Sequence, residues 1–598
     1  MVRVGATVTA AAAQVGIAVE QVCGGRGTCG KCKVRLLTGR LAPPSEAERR
    51  HLSAEELDGG YRLACQAAVV EDCTVEVPWA AAASGVSILV EGLLEPVALD
   101  PPVQKETLRV PPATLTEPFA DLTALQRTYT GAARLSPSLE ALRALPGALR
   151  AAGGLVTMVR AGERLLAVEP GDTCGACYGL ACDIGTTTVV GYLLDLATGR
   201  RLAVASTLNP QTRFGDDVIS RIDLASHDPG GLEALRAAVV EAIDSLLGQA
   251  AEAAGVAREQ VYALAVVGNT AMHHLFLGLS PAGLGHSPYV PVMADPLQLD
   301  ARDAGLHAHP EAQLFVLPNI AGFVGADTVG VLLATRLLES DEVRLAIDIG
   351  TNGEMALGSR ARMLACSTAA GPAFEGAQLS HGMRAADGAI DHIELQDGHL
   401  VLHAIGQGKL RGICGSGVVD AIAVLRRLEV IDSTGRLRTS DQVAALAGAE
   451  LAARLVPHGQ GGAFVLAPAE ETAIGGPILL TQRDIRQVQL AKGAIRAGIE
   501  IMMQELAVAP EQVAEVCLAG AFGNYIRPES ALAIGLMPHL PRAALTPVGN
   551  AAGVGAQLAL LSRRTWQDAA YVVDHVEYLE LSLRQDFTRV FMQAMMMQ

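Results

Sequence analysis

The tetrapeptide Asp-Ile-Gly-Thr occurs twice in this 598-residue chain, at Asp183–Thr186 and Asp348–Thr351, 165 residues apart. Each copy follows an apolar run that reads as a strand. Each also leads into another apolar stretch, Val189–Leu194 after the first and Met355–Leu357 after the second. A turn repeated together with its flanking strands implies two duplicated subdomains around one cleft. From Tyr178 onward, apolar strands alternate with Ala-rich helices, which is the pattern of an α/β architecture. The turn itself suits phosphate. Glycine permits the tight bend, the N–H and hydroxyl groups after it can cradle phosphate oxygens, and the Asp can hold Mg²⁺ through water. The candidate residues are Asp183, Gly185, Thr186 and Thr187 in the first turn, and Asp348, Gly350, Thr351 and Asn352 in the second. The plainer alternative is a turn-capping Asp with ordinary turn residues. One such turn would carry little weight, but two with matching flanks carry more.

Two further glycine turns belong to the same region. Val516–Asn524 runs as an apolar strand into Gly520-Ala-Phe-Gly523, where a flat ring could lie against backbone. Gly412–Gly417 precedes the helical pattern Val418–Leu428, so Gly415 stands where a helix N-terminus could face an anion. No G-x-x-x-x-G-K-[ST] loop or dinucleotide fingerprint is present. Asp216 and Asp217, after Arg213-Phe214-Gly215, are candidates for polarising an attacking water, and Glu375 and Glu354 are rivals for that role. The alternative for the Asp pair is an N-cap on a helix over Val218–Leu224. His273 and His274 are expected to pack or hydrogen-bond near a subdomain junction.

The cysteines cluster. Five of the eleven precede residue 75. Cys23, Cys29 and Cys32 form a C-x5-C-x2-C loop, and Cys65 follows 33 residues after Cys32. Four thiolates in this order fit a 2Fe-2S site. Gly24, Gly25, Gly27 and Gly30 would let the loop wrap an anionic cluster with N–H groups aimed at its sulfurs. Zinc usually takes paired C-x2-C units, which Cys65 lacks, and plain buried thiols are the remaining alternative. Cys73 is expected on a strand, apart from the site. Cys174, Cys177 and Cys182 suggest a second metal loop, but Cys182 begins an apolar strand and reads better as a buried thiol.

The net charge of −17 makes non-specific nucleic-acid binding unfavourable. Apolar runs stop short of the roughly 18 residues that a membrane span needs, so a cytoplasmic location without membrane contact is expected. The segments read as residues 1–79 for the cluster domain, 80–117 for a Pro/Ala-rich linker with one strand at Ser87–Val90, 118–177 for a small middle α/β domain, and 178–598 for the duplicated region, divided near residue 340. Such a linker could let the cluster domain swing between partners.

The cysteine loop resembles ferredoxins of the plant and adrenodoxin type, which implies an N-terminal α+β, β-grasp domain. Only Met1–Val4 precede Gly5, so the first strand of such a domain is expected to be very short or incomplete. Asp183–Thr188, Asp348–Glu354 and Leu518–Asn524 resemble the phosphate-1, phosphate-2 and adenosine motifs of the actin-like ATPase, sugar kinase and chaperone superfamily. The order of domains resembles the ATP-dependent reductive activators of corrinoid proteins, as do the stretches Asn209–Arg221, Val267–His273, Leu317–Gly322 and Ala370–Gly376. That resemblance implies a 2Fe-2S cluster, ATP and Mg²⁺ as cofactors, and reduction of Co(II) corrinoid to Co(I) coupled to ATP hydrolysis. It implies as partners a corrinoid iron-sulfur protein or corrinoid methyltransferase component, with a ferredoxin, flavodoxin or reductase as donor, and it is compatible with a homodimer. A small-molecule kinase would share the ATP motifs without needing the cluster. A simple electron carrier would not need the ATPase. An activator of another low-potential metalloenzyme, such as a 2-hydroxyacyl-CoA dehydratase, would be expected to take its cluster cysteines from the ATPase domain instead.

Overall fold

The computed structural model describes residues 5–14, 19, 27, 30, 32–77, 97–131, 134–376, 378–396, 399–459 and 461–597. Cys23, Cys29, Gly24, Gly25 and the strand expected at Ser87–Val90 lie outside these residues.

The first unit is built on the strand Lys33–Thr38, flanked antiparallel by Tyr61–Leu63 and Thr74–Glu76. The helix Val8–Gln14 opens it, and the chain before that helix is tied to residues 67–69 through Gly5 N donating to Val69 O and a bridge between Thr7 and Ala68. Two short helices, Glu46–His51 and Ala54–Asp58, each start with a capping box, Ser45 with Glu48 and Ser53 with Glu56. Val34, Leu41, Leu52 and Leu63 form its small core, which includes Cys32 and Cys65.

The middle unit is a four-stranded sheet in the order Val103–Arg109, Leu155–Ala161, Arg164–Pro170, Ser136–Pro137, covered by the helix Leu139–Ala151. Ser138 caps that helix, its side chain accepting from Ala141 N. The linker reading changes here. Val103–Arg109 pairs along its whole length with Leu155–Ala161, and Val103 and Leu108 are buried. The prolines that suggested a linker, Pro101-Pro102 and Pro111-Pro112, bound this edge strand. Proline cannot donate to the ladder, so it ends strands as readily as it stiffens linkers. Just before the strand, Asp100 pairs with Arg563 at 2.7 Å. The sheet is also pinned to the following unit: Arg164 donates to Asp300 at 2.6 Å and to Glu311 at 2.9 Å, and Val159 and Leu166 share a core with Tyr192 and Phe315.

The rest of the chain holds two six-stranded sheets, in each of which five strands follow a matching topology. In the first, the strand Tyr178–Ile184 runs antiparallel to Thr188–Asp195, which runs antiparallel to Arg201–Leu208. On its other side it is parallel to Val261–Gly268, and that strand is parallel to Gln313–Val316. In the second, Val343–Ile349, Gly353–Ser359 and Arg362–Thr368 repeat the meander, and Val513–Ala519 and Ala544–Gly549 repeat the parallel pair. The duplication predicted from two turns therefore extends over five strands in each half. The helices Ala326–Thr335 and Ala551–Leu561 cross where the halves meet. A Cβ on Gly555 would lie 2.3 Å from the Gly330 carbonyl oxygen, so glycine allows these backbones to touch. With aromatics at only 4% of the chain, close packing of small residues of this kind has to build much of the core.

Candidate functional site

The two Asp-Ile-Gly-Thr turns lie at corresponding strand ends in the two sheets, and they converge. Glu375 ends a short 3-10 turn, Pro372–Glu375, and bridges them: Thr351 Oγ1 donates to one carboxylate oxygen at 2.6 Å, and Thr187 Oγ1 donates to the other at 3.2 Å. The helix crossing brings two more groups to the same place. Asn550 caps the helix Ala551–Leu561 with its oxygen, and its Nδ2 donates to Asp183 at 2.8 Å. Asp327 sits in the first turn of the partner helix.

The turns are not identical. Ile184 pairs with Val189 but Ile349 pairs with Gly353, so the second turn is one residue shorter. Consequently Val190 stands opposite Asp183, whereas Glu354 stands opposite Asp348. Four carboxyl groups thus share one poorly solvated region. Burial pushes Asp183 up to about 7, with Asp327 adding and the Asn550 hydrogen bond opposing. Burial, Asp327 and Asp183 push Asp348 up to about 7. Burial raises Asp327 to about 6 against hydrogen bonds from Thr328 and from backbone. Glu354 is raised well above the usual range by burial and by Asp327 and Asp348. Like charges in such a region favour protonation until a cation joins them, and the oxygen-rich donor set suits Mg²⁺.

Beside the first turn lies Arg221, fully buried. Its guanidinium donates to Thr186 O at 2.6 Å and Gly215 O at 2.7 Å, and it interacts electrostatically with Asp216, Asp217 and Glu375. Asp217 is occupied as a helix cap. Its side chain accepts from Ser220 N at 2.7 Å and opens the helix Val218–His227, which is the plainer of its two sequence readings. Asn269 Nδ2 donates to Thr186 Oγ1 at 3.0 Å while its oxygen caps the helix Thr270–Leu277. His274 accepts from Val292 N and donates to Thr270 O, so it fastens a loop, and His273 is held neutral by burial.

The glycine turns join the same neighbourhood. Gly520, at φ +81°, places its turn so close to the second Asp-Ile-Gly-Thr turn that a Cβ would lie 2.4 Å from Asp348 Oδ1. Gly415 begins the helix Gly415–Arg427, and a Cβ there would lie 1.7 Å from Phe374 O. The Phe374 ring stacks on Phe522 at 4.6 Å between centroids. A Cβ on Gly523 would approach the Leu518 carbonyl carbon at 3.2 Å. Arg221, Asp327, Asn550 and Asn269 are not singled out as site residues by the sequence pattern. Arg221 and Asn269 lie in the stretches that carry the family resemblance; Asp327 and Asn550 have no local signature.

In the first unit, Cys32 Sγ lies 3.2 Å from Cys65 Sγ. Two thiolates on one tetrahedral metal at ~2.3 Å bonds lie roughly 3.8 Å apart, so a small adjustment would let both bind one iron. The hydrogen bond from Cys32 pulls Cys65 down to about 6, against its burial and with help from Gln66 and the Gly27 backbone. A thiol that ionises this readily is a ready metal ligand. Gly27 and Gly30 both have left-handed backbone, at φ +69° and +70°. Ala64 N donates to Cys32 O at 2.8 Å, which joins the two cysteine segments. Glu48 holds the second segment: it accepts from Arg62 Nε at 2.8 Å and from Leu63 N at 3.1 Å. Cys73 stands apart, and burial with Asp72 and Glu71 raises its thiol. Cys177 and Cys182 are buried thiols shifted upward, Cys177 to about 12. Among the described residues neither joins a group of three metal ligands. The residues present therefore fit a cluster at Cys32 and Cys65.

Family models tile the chain. Residues 1–70 match the 2Fe-2S iron-sulfur cluster binding domain, 92–175 the RACo linker region, 178–340 the RACo middle region, and 342–598 the C-terminal domain of RACo, the ASKHA domain. The chain is 34% identical over 583 residues to the corrinoid activation enzyme RamQ of Eubacterium limosum, covering 97% of this chain and 94% of that protein. It is 25% identical over 448 residues to a [Co(II) methylated amine-specific corrinoid protein] reductase of Methanosarcina barkeri, covering 69% of this chain and 76% of that one. Among solved structures, a reductive activator for corrinoid, iron-sulfur protein superposes with a TM-score of 0.75 at 34% identity, covering 100% of this chain and 96% of that one. A chain with this fold, this convergence of two Asp-Ile-Gly-Thr turns and this cysteine-bearing first unit belongs to the RACo family of reductive activators of corrinoid proteins.

Proposed function

We propose that this chain is an ATP-hydrolysing reductase that delivers single electrons from a 2Fe-2S cluster to the Co(II) corrinoid of a partner protein, yielding Co(I). The observation that supports it most is Glu375 bridging the Thr187 and Thr351 hydroxyls, which ties the two phosphate turns together on a chain that also carries the Cys32–Cys65 pair.

Co(I) is a very strong reductant, so the transfer is uphill and must be coupled to a favourable reaction. The residues of the cleft could provide that coupling. Asp183 and Asp348 would hold Mg²⁺, with Asp327 and Glu354 completing the anionic surround. The hydroxyls of Thr186, Thr187 and Thr351, with Gly185, Gly350 and Asn352, receive the phosphates. The turns at Gly415, Gly520 and Gly523 flank the base. Once phosphate oxygens take the threonine hydroxyls, Glu375 is released to accept a proton from the attacking water, while Arg221 and Asp216 set the charge beside it. Binding and hydrolysis would then change how the halves are joined, because Glu375 would lose its bonds to both turns as the phosphates took the threonine hydroxyls. In the first unit, Cys23, Cys29, Cys32 and Cys65 would hold the cluster, which would supply one-electron chemistry at low potential. The donor is a ferredoxin, flavodoxin or reductase, the corrinoid acceptor is a corrinoid iron-sulfur protein or a methyltransferase component, and a homodimer is compatible with this reading.

The test is anaerobic absorbance of a candidate corrinoid protein mixed with this chain and a reductant. Co(I) should accumulate only with ATP, Mg²⁺ and an intact cluster. Equal reduction without ATP would refute the coupling, and rapid phosphorylation of a small sugar or acid would favour a kinase.

A further inference from the structure

Away from the cleft, the hairpin formed by Ala389–Gln396 and His399–Ala404 carries a cluster that the corrinoid chemistry does not use. His392 and Glu394 are two residues apart on one strand and share a face, and His403 pairs directly with His392 across the ladder. A register irregularity between Ile390 and His392 sets this phase. Ligand atoms of His392, Glu394 and His403 all lie within 4.8 Å of one another. His403 Nε2 is 3.3 Å from one Glu394 oxygen, and His392 Nε2 is 3.6 Å from the other.

The group is supported from behind. Asp420, on the helix Gly415–Arg427, is 1% exposed and bonds His392 Nδ1. That contact fixes the ring with its Nε2 lone pair toward Glu394 and His403. Carboxylates hold metal-binding imidazoles in this way in general. The second Asp420 oxygen is buried and makes no hydrogen bond. The nearby cation is Arg527, 40% exposed, with its guanidinium 3.9 Å from Glu394 and 3.6 Å from Asp420.

We propose that His392, Glu394 and His403 form a binding site for a divalent transition-metal cation of the zinc type, which clips the hairpin to the helix through Asp420. Two imidazoles and one carboxylate suit zinc and its neighbours and disfavour Mg²⁺ or Ca²⁺, which prefer all-oxygen sets. Half-exposed His403 leaves the site open on the solvent side, where water would complete a tetrahedron. Binding would require the half-exposed Arg527 side chain to swing aside, and its Nε, buried without a hydrogen-bond partner, gives up no hydrogen bond in doing so.

The experiment uses the full-length protein with its cluster loaded, so that the cluster cysteines are already occupied. After treatment with a chelating resin, zinc is titrated under anaerobic conditions against a competing fluorescent chelator. Wild type should bind ~one zinc per chain more than His403→Ala or Glu394→Gln, and zinc should raise its melting temperature but not theirs. Asp420→Asn should weaken zinc binding by about 10–100-fold. The visible spectrum of the cluster should be unchanged in the variants, which separates this site from the cysteines. Because His403 is at the surface, its replacement is expected to leave the metal-free melt at the wild-type value. Equal zinc stoichiometry and affinity in wild type and His403→Ala would overturn the proposal and leave the cluster as an ionic network completed by Arg527.

Discussion

Replacing Glu48 with Ala should unseat the iron-sulfur unit and spare the ATPase. Glu48 is fully buried and Arg62 is 6% exposed. Their bidentate pair, at 2.8 and 3.1 Å, sits directly before the Leu63–Cys65 segment. Burial pushes the Glu48 carboxyl upward, but the Arg62 hydrogen bond, the Ser45 and Leu63 amides and the Arg62 charge outweigh it, so its pKa is lowered overall. Removing one partner of a buried pair costs about 3–5 kcal/mol, because the other charge is left uncompensated. The lost hydrogen bond to Ser45 N, 2.7 Å in the capping box, adds about 1 kcal/mol. A domain matching residues 1–70 has about 4–10 kcal/mol of stability at ~0.05–0.15 kcal/mol per residue. The substitution therefore removes about 4–6 kcal/mol, from roughly two-fifths to all of it. The assay is the rate at which visible cluster absorbance bleaches in the presence of an iron chelator, followed alongside ATP hydrolysis. Bleaching should accelerate by more than tenfold while hydrolysis is unchanged. Replacing the pair with apolar residues, Glu48→Leu with Arg62→Met, should recover much of the loss. A Glu48→Ala protein with wild-type bleaching and an unchanged urea midpoint would refute the reasoning. The sign for pH follows from the lowered pKa: the stabilisation is present above the ordinary carboxylate range and is lost as pH falls through the folded-state value.

Three more outcomes are expected. Cys65→Ala should abolish the 2Fe-2S spectrum whereas Cys73→Ala should leave it intact, and a reconstituted cluster surviving in Cys65→Ala would sink the ligand assignment. Glu375→Gln should cut hydrolysis by about 10²–10⁴-fold while nucleotide still binds, as measured by calorimetry, and a wild-type rate would remove Glu375 from the chemistry. Because Asp183 and Asp348 are raised to about 7 and Asp327 to about 6, their protonated forms stabilise the nucleotide-free fold. Its stability should fall as pH rises from about 4 through 7, ATP hydrolysis should rise over pH 6–8 as the carboxylates ionise, and excess Mg²⁺ should move that rise to lower pH; a flat profile at fixed Mg²⁺ would contradict the site.

What was legible in the sequence was local. The spacing of the cysteines and the two Asp-Ile-Gly-Thr turns each use residues a few positions apart, and the match of residues 1–70 to a 2Fe-2S domain and the paired strands flanking both turns agree with those readings. The repeat also implied two halves, because a turn that recurs with both of its flanking strands marks a duplicated folding unit rather than a chance match. Partnerships set by long-range packing were not legible. Asp327 and Asn550 reach Asp183 and Asp348 because two small-residue helices touch at Gly330 and Gly555, and no periodicity marks that crossing. The rank of the carboxylates was also decided in three dimensions: Asp217 uses its side chain as a helix cap, whereas Glu375 meets both turns. Prolines around Val103–Arg109 read as a linker because composition cannot tell a stiff connector from the ends of an edge strand; pairing with Leu155–Ala161 makes that distinction. The motifs specify chemistry through short-range geometry, and the sheets and helix crossing determine which of those chemistries meet, since burial and charge depend on neighbours hundreds of residues away.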